Sequence, residues 1–378
     1  MLTVIHISAG DLDTPGGIRE VIRHLTPAQR SMGLRPVVVG LCRNVAKTGV
    51  PLDIDQHWVY PTGIKQLDRY RLFRRAMSVI QRSSVPVIVH AHELRASGEM
   101  AIKIRSKLRT RFLVTVHIDP AHRHSQQAGS AMERRNVRAR VAKTADGLVG
   151  VSDFIRNKVE MLAAHSESPR QIRSTVYPAV AVPDLEHFAR PHGMDRPYVL
   201  ALGRLADVKG FDSLIRAWAK TSLPGRWHLV IAGSGPEEAN LRRIAQEQNV
   251  GASVLFAGRV EGDSKWALVK HAELLAVTTH KIEEAFCLSA LEAVHCMTPV
   301  VGYCGGGLQE IVANGINGVL VAPGDETALA REMERLAGDE SLRRQFSDNC
   351  RDIRGRFTIE AAAENYLHLY RKILGCQP

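Results

Sequence analysis

The chain has 378 residues, 45% hydrophobic and 24% charged, with a formal net charge of +11; at ~100–200 residues per domain this length predicts two soluble globular domains. No apolar run approaches the ~20 residues that span a bilayer, and the opening MLTVIHISAG lacks a basic n-region and a small-residue cleavage site, so it reads as a first strand and not as a signal peptide. The six cysteines (Cys42, Cys287, Cys296, Cys304, Cys350, Cys376) form no C-x-x-C pair, which argues against structural zinc and a disulfide framework and fits a reducing cytoplasm.

Charge is unevenly spread. Residues 1–185 carry 28 Lys and Arg against 15 Asp and Glu, a net +13, whereas residues 186–378 carry 22 against 24, a net −2. An excess confined to the first half suits an anionic partner there: a membrane surface, a phosphorylated acceptor or nucleic acid. Basic helices that merely keep the chain soluble leave the same signature.

In the first half, strands are expected at Thr3–Ile7, Pro36–Leu41, Val85–His90, Phe112–His117 and Gly147–Val151, with amphipathic helices at Ile18–Ser31 and Asp68–Gln81 between them. In the second half, strands are expected at Tyr198–Leu202, His228–Ala232, Val254–Ala257, Leu274–Val277, Pro299–Gly302 and Gly318–Val321, with helices at Phe211–Thr221, Glu237–Gln248 and Ser289–His295. Apolar strands alternating with helices imply parallel sheets covered on both faces, here twice over: an α/β chain of two doubly wound domains. The periodicity lapses over Pro178–Pro197, which marks a boundary, so the domains are set at residues 1–185 and 186–358. Leu336 to Arg356 reads as a charged connection to a last helix, Ile359–Leu374.

Ligands of open α/β sheets bind beyond the carboxyl ends of strands, so the residues after each strand matter most. Pro15-Gly16-Gly17-Ile18 follows the first strand and opens a helix, whose free N–H groups can face an anion; a plain strand-to-helix turn reads equally well. It is not G-x-G-x-x-G, and no acidic residue closes the second strand, which weakens a nicotinamide dehydrogenase. Gly203-Arg204 and Lys209-Gly210 place two cations around a tight loop that can clamp a diphosphate, or that is simply solvated. Gly233-Ser234-Gly235-Pro236 lets a flat base or ribose approach the backbone. Glu284-Ala285-Phe286-Cys287-Leu288-Ser289-Ala290-Leu291-Glu292 runs from a loop into a helix. Its N–H groups from Phe286 to Ser289 can meet phosphates, and its two carboxylates can take hydroxyl protons of a sugar and a ribose. Two surface glutamates are the plain alternative; Gly305-Gly306-Gly307 and Glu310, at the same sheet edge, argue against it.

GRLADVKG, IAGSGPE, EEAFCLSALEA, PVVGYCGGGLQEIV and NGVLVAPGD, preceded by PGGI, HAHE, TVHID and GLVGVSDFIRNKV and followed by RFTIEAAAENYLHLYRKIL, resemble in order the landmarks of retaining GT-B glycosyltransferases, the E-x7-E group of glycosyl transferases group 1. The resemblance covers nearly the whole chain. It implies two Rossmann-like domains facing across a cleft, the first binding acceptor and the second a nucleotide-sugar donor, with the last helix crossing back to the first. It further implies that Arg204 and Lys209 bind the diphosphate and stabilise the leaving group, that Glu284 holds sugar hydroxyls and Glu292 the ribose, and that the backbone of Phe286, Cys287 and Leu288 touches phosphates. Gly16 and Gly17 would lie beside diphosphate and acceptor. Gly203, Gly233, Ser234 and Gly235 would border the donor, and His117 would face the transferred sugar. The implied mechanism is retention by front-face attack within an ion-pair-like transition state, with no metal and no cofactor; two fixed cations supply the preorganised electrostatics. Three positions depart from the family pattern: Ala285-Phe286-Cys287 stands where Gly-Phe-Gly is common, Pro178-Ala179-Val180 where Pro-Asn-Gly is, and Ile118 where Asp is frequent. Cys287 would narrow the pocket.

His90, His92 and Glu93 end a strand and read as a hydrogen-bonded structural group before an active-site rim; a metal would need further ligands. Asp11-Leu12-Asp13 is a lone D-x-D and carries little weight. Lys65, Arg69, Arg71, Arg74 and Arg75, around Tyr70, Leu72 and Phe73, form one basic run, and Arg134, Arg135, Arg138, Arg140 and Lys143 another. Both suit anionic lipid at ~1 kcal/mol per charge, and with aromatics at 5% and no nucleic-acid module a nucleic-acid partner is not expected. The leading expectation is transfer from a UDP- or GDP-sugar to a glycan or lipid-linked acceptor in cell-surface polysaccharide or lipopolysaccharide synthesis, in the cytoplasm or peripheral on the inner membrane face. The rivals are an epimerase or phosphorylase on this architecture and a non-catalytic nucleotide-sugar or membrane-binding partner.

Overall fold

The structure, a computed structural model, describes residues 1–13, 16–118, 131–164 and 171–375, without the side chains of residues 131–134; Pro15, the Arg134 side chain and Cys376 lie outside the described residues. The chain divides into two compact units, Met1–Ala181 with Phe357–Pro378, and Val182–Arg356.

The first unit runs β1 (Leu2–Asp11), α1 (Gly17–Ser31), β2 (Leu34–Leu41), β3 (Asp55–Val59), α2 (Lys65–Gln81), β4 (Val87–Ala91), α3 (Ala96–Leu108), β5 (Arg111–Val116), α4 (Ala131–Thr144), β6 (Gly147–Gly150), α5 (Asp153–Leu162) and β7 (Ile172–Thr175). The second runs β8 (Tyr198–Leu202), α6 (Phe211–Ala219), β9 (His228–Ala232), α7 (Glu238–Glu247), β10 (Val254–Gly258), α8 (Gly262–Lys270), β11 (Leu274–Val277), α9 (Leu288–His295), β12 (Val300–Tyr303), β13 (Gly318–Val321), α10 (Glu326–Gly338) and α11 (Glu340–Arg354); α12 (Ile359–Leu374) belongs to the first unit.

Both sheets are parallel. The first has the order β3-β2-β1-β4-β5-β6-β7 and the second β10-β9-β8-β11-β12-β13. The two doubly wound α/β domains expected from the alternation are thus present. Central strands such as β8 and β11 are buried on both faces and read as unbroken apolar runs, while β1 is as deeply buried but carries Thr3, His6 and Ser8 among its apolar residues. Strand order reverses between β1 and β4 and between β8 and β11, and a sheet splays open at such a point, leaving a crevice beyond the strand ends. The core of the second unit gathers Trp218, Leu214, Ile231, Leu274 and Met333. In the first unit α12 lays Ala363, Tyr366, Leu369 and Tyr370 against Val4, Ile88, Leu113 and Val149. At ~1.5–3 kcal/mol per large buried side chain, that face accounts for its docking.

Two expectations are corrected. Leu336–Arg356 is no bare connection: most of it is α11, capped by the Asp339 side chain accepting from Leu342 N and buried through Phe346 and Cys350, one turn apart. Its other positions are solvated, which is why it reads as charged. In the basic run, Leu72 faces the core on α2 and is fully buried, so the exposed apolar neighbours of the arginines are Ile64, Leu67 and Tyr70. The edge strands β3 and β7 carry no apolar run for the sequence to signal.

Candidate functional site

The reversal between β8 and β11 gathers polar groups at one sheet edge. After β8 the chain passes Gly203 and Arg204 and makes a short turn, Asp207–Lys209, closed by Gly210 at φ +67. A Cβ on Gly210 would lie 2.2 Å from the Thr278 carbonyl, so this glycine is required to bring the Lys209 turn against the end of β11. The contact is tied by Thr278 Oγ1 donating to Lys209 O at 3.2 Å.

Lys209 Nζ pairs with Glu284 Oε1, and Thr279 Oγ1 donates to the same oxygen at 2.8 Å. Burial pulls the Lys209 pKa down, but the charge of Glu284, its hydrogen bond and the neighbouring Cys287 together outweigh it and hold the ammonium above its ordinary value. Among the described residues no hydrogen bond reaches Glu284 Oε2, and the exposed Arg204 makes no ion pair or side-chain hydrogen bond, while its charge is felt at Lys209. The site therefore offers an open guanidinium, a clamped ammonium and an open carboxylate oxygen in succession.

The Gly305–Gly307 loop meets Glu284 directly. Gly307 N donates to Glu284 O at 2.8 Å, and Gly306 has φ +54 with its Cβ position 2.2 Å from that same carbonyl. Gly233 and Gly235 also have a reason within the chain itself. Their Cβ positions would fall 1.8 Å from Gly203 O and 2.2 Å from Leu205 O, and Leu205 N donates to Ser234 O at 3.0 Å. They are small so that two loops of the chain can stack.

Cys287 precedes α9 and is 4% exposed, with Sγ 3.3 Å from Ser289 Oγ. Burial, with the charge of Glu284, pushes its thiol up to about 11, so it is neutral. Phe286 is buried beside it, and Leu288 opens the helix with N–H groups that the first turn leaves unbonded. Glu292 lies on the second turn of α9 and binds Lys265 Nζ of α8 at 2.7 Å. Lys265 and Thr279 escaped the sequence reading; Thr279 was within reach, as it stands just past a strand end.

In the first unit Gly16 caps α1, with open space where a Cβ would stand, and Gly17 begins the helix. His117 follows β5, and its Nε2 lies 3.1 Å from His92 Nδ1. Burial lowers its pKa to about 3 and that of His6 to about 4, against the hydrogen bond to Gln29, and holds His90 and His92 well below the ordinary value. His90 and His92 do not bond each other; their rings stack at 4.2 Å. The ligand atoms of His6, His90 and His92 come within 4.8 Å of one another, as a metal would need, but each of their ring nitrogens already faces a protein partner. Asp11 and Asp13 lie near Arg43, and Asp13 accepts from the N–H groups of Arg43 and Asn44 at 3.1 and 3.0 Å, a loop-closing role.

Residues 184–353 match the family model described as Glycosyl transferases group 1, and residues 15–172 match Glycosyltransferase Family 4. The 2-deoxystreptamine N-acetyl-D-glucosaminyltransferase of Streptomyces fradiae is 28% identical over 321 residues, 77% of this chain and 73% of that one. A lipopolysaccharide core biosynthesis glycosyltransferase of Rhizobium meliloti is 34% identical over 176 residues, 46% of this chain and 50% of that one. The chain spans about half the length of most of the curated relatives it matches. Anabaena HepE, solved in complex with UDP and glucose, superposes with a TM-score of 0.77 at 17% identity, covering 97% of this chain and 99% of that one; that likeness shows the fold, two Rossmann-like domains.

Proposed function

Since this chain is a member of the glycosyl transferases group 1 family, carrying that domain at residues 184–353 behind a Glycosyltransferase Family 4 domain at 15–172, we propose that it transfers a sugar, with retention, from a UDP- or GDP-sugar to a glycan or lipid-linked acceptor of cell-surface polysaccharide or lipopolysaccharide. The observation that carries this reading is the succession of Arg204, unpaired among the described residues, Lys209, held on Glu284 Oε1, and Glu284 Oε2, open among the same residues. Arg204 and Lys209 take the donor diphosphate, a planar fork and a point charge. Glu284 Oε2 accepts hydroxyl protons of the sugar. The N–H groups of Phe286, Cys287 and Leu288 meet phosphate at the start of α9, and Glu292 holds the ribose, sharing its carboxylate with Lys265. Gly203, Gly233, Ser234 and Gly235 border the base. Gly16, Gly17 and His117 serve the acceptor and the reacting sugar.

As the glycosidic bond to the diphosphate breaks, negative charge grows on the leaving oxygen beside two cations already fixed in place. That preorganisation lowers the barrier with no metal or cofactor needed. The acceptor hydroxyl then attacks from the face the diphosphate leaves, passing its proton to the departing diphosphate oxygen, which retains configuration. UDP is bound by the Anabaena neighbour, and the Rhizobium relative is named for the lipopolysaccharide core; both support the donor and acceptor classes.

No helix among the described residues is long and apolar enough to cross a membrane. Exposed Lys65, Arg69, Arg71, Arg74 and Arg75 stand with exposed Ile64, Leu67 and Tyr70 on and before α2, a basic face with an apolar fringe. It supports peripheral attachment to an anionic inner leaflet in the cytoplasm. The function is tested by a thermal-shift and hydrolysis screen of UDP-, GDP- and ADP-sugars. One donor should raise the melting temperature and release its nucleoside diphosphate, faster with acceptor. Rearrangement of the donor alone would indicate an epimerase, a requirement for free phosphate a phosphorylase, and binding without turnover a partner protein; each would overturn the proposal.

A further inference from the structure

The first unit holds a polar chain inside its sheet that no step above uses. His6 lies in β1, His90 in β4 and His92 just beyond β4, at the strand reversal, and all three are fully buried, as is Gln29 of α1. Charged groups cannot be afforded there, and a neutral imidazole has one N–H and one bare nitrogen. The direction of each hydrogen bond is then fixed by the one before it. Gln29 Nε2 donates to the Tyr370 hydroxyl at 3.1 Å, which leaves Gln29 Oε1 facing His6 Nε2 at 2.8 Å. An amide oxygen only accepts, so His6 carries its proton on Nε2 and its Nδ1 is bare. His6 Nδ1 is 2.9 Å from His92 Nε2, so His92 donates from Nε2 and its Nδ1 is bare. His92 Nδ1 is 3.1 Å from His117 Nε2, so His117 also donates from Nε2.

A second branch leaves the same amide in a matching sense. The Tyr370 hydroxyl, having accepted from Gln29, donates to His90 Nδ1 at 2.8 Å; His90 Nε2 donates to Thr115 Oγ1 at 2.7 Å, and Thr115 donates onward to the Tyr366 hydroxyl at 2.9 Å. Each hydrogen bond of both branches thus has one donor and one acceptor. The three rings of the first branch stack in sequence, with centroids 5.2 Å apart for His6 and His92 and 5.3 Å for His92 and His117, which holds their planes. A metal on the three core histidines would break at least two of these bonds.

We infer that Gln29, His6 and His92 form a positioning relay that sets the tautomer of His117, presenting its Nδ1 as a bare hydrogen-bond acceptor at the carboxyl end of β5, suited to a hydroxyl of the sugar or of the acceptor. Burial keeps every ring neutral through the physiological range, so the orientation does not depend on a protonation event. Among the described residues Nδ1 of His117 has no hydrogen-bond partner. Gln29 is the residue that decides: turning its amide over would reverse every proton in both branches, putting the His117 proton on Nδ1 and making it a donor.

The assignment of a hydroxyl as the recipient rests on the glycosyl-transfer reading; the relay itself does not. The test is long-range 1H–15N correlation on the full chain labelled at histidine nitrogen, near pH 7, with each ring assigned by substitution. His6, His92 and His117 should all show the Nε2–H form. Gln29→Met removes the deciding acceptor and should release His117 into a mixture of tautomers, lowering kcat about fivefold with the donor KM held. A His117 proton on Nδ1 in the unaltered protein, or a His117 signal that Gln29→Met leaves unmoved, would overturn the relay. These nitrogen shifts are read whether or not any donor is turned over, so failure of the transferase reading and failure of the relay are distinguishable.

Discussion

Gly305 and Gly306 are neighbours in one loop, yet alanine should be tolerated at the first and not at the second. At Gly306, φ +54 costs an L residue ~1–2 kcal/mol, and the new Cβ would lie 2.2 Å from Glu284 O and 2.9 Å from Glu284 N. Both obstacles are backbone atoms, so nothing can swing aside, and relieving such overpacking costs ~1–3 kcal/mol more. Gly306→Ala should therefore lose ~2–5 kcal/mol, and in a domain of this size the melting temperature should fall by roughly 4–20 °C. The loop must also pull away from Glu284, weakening the Gly307 N to Glu284 O bond of 2.8 Å and the seat of the carboxylate. At Gly305 the φ of 168 is ordinary extended backbone and no atom lies within 4 Å of a Cβ, so Gly305→Ala should stay within ~0.5 kcal/mol. Calorimetry on the two variants, with donor KM measured beside it, reads the difference. If Gly306→Ala melts with Gly305→Ala and keeps the donor KM, the reasoning from the Glu284 contact is wrong.

Arg204 is exposed and unpaired among the described residues, so Arg204→Ala should leave the melting temperature alone while lowering kcat/KM for the donor ~10²-fold; Arg204→Lys should recover part of it, and steady-state kinetics equal to the unaltered enzyme would remove Arg204 from the diphosphate. The histidine core gives a pH signature. His6 and His117 have folded pKa values of about 4 and about 3 against 6.5 unfolded, so below 6.5 the unfolded chain binds more protons. Stability is full above pH 6.5 and falls as pH drops toward 4, by ~1.4 kcal/mol per pH unit for each of the two; a melting temperature that is flat between pH 6.5 and 4.5 would contradict this. Cys287, its thiol at about 11 and 4% exposed, should resist iodoacetamide at pH 8 in the folded chain and react once denatured; peptide mapping that finds it alkylated in the native protein would show that its burial is misjudged.

Much of this was legible in the residues. Strands buried on both faces announce themselves as apolar runs, which is why Tyr198–Leu202, His228–Ala232 and Leu274–Val277 carry the same bounds in sequence and structure. The edge strands β3 and β7 did not, because an edge needs no apolar run. α11 stayed hidden because it buries only Phe346 and Cys350 on one stripe. At the site, the rule that ligands meet strand ends found Arg204, Lys209 and Glu284, but not that Lys209 and Glu284 pair, since residues 75 apart acquire a distance only through the β8–β11 reversal. That Gly233 and Gly235 bring two loops of the chain together was not legible, because a glycine records that something comes close, without saying whether it is ligand or chain. His6 left a signal that was passed over: one polar residue inside a doubly covered apolar strand must find partners there.

The central claim is that the cations beyond β8 act on a nucleotide diphosphate leaving group. It is tested most directly by following nucleoside diphosphate release by 31P NMR, with the donor that the screen identifies, for the unaltered chain and for Lys209→Ala. The side chain of Lys209 is 30% exposed, so the variant should keep its fold while turnover falls ~10²–10³-fold, the loss expected for a group that stabilises charge only as it develops. Release of the diphosphate by Lys209→Ala at the rate of the unaltered chain would contradict the account.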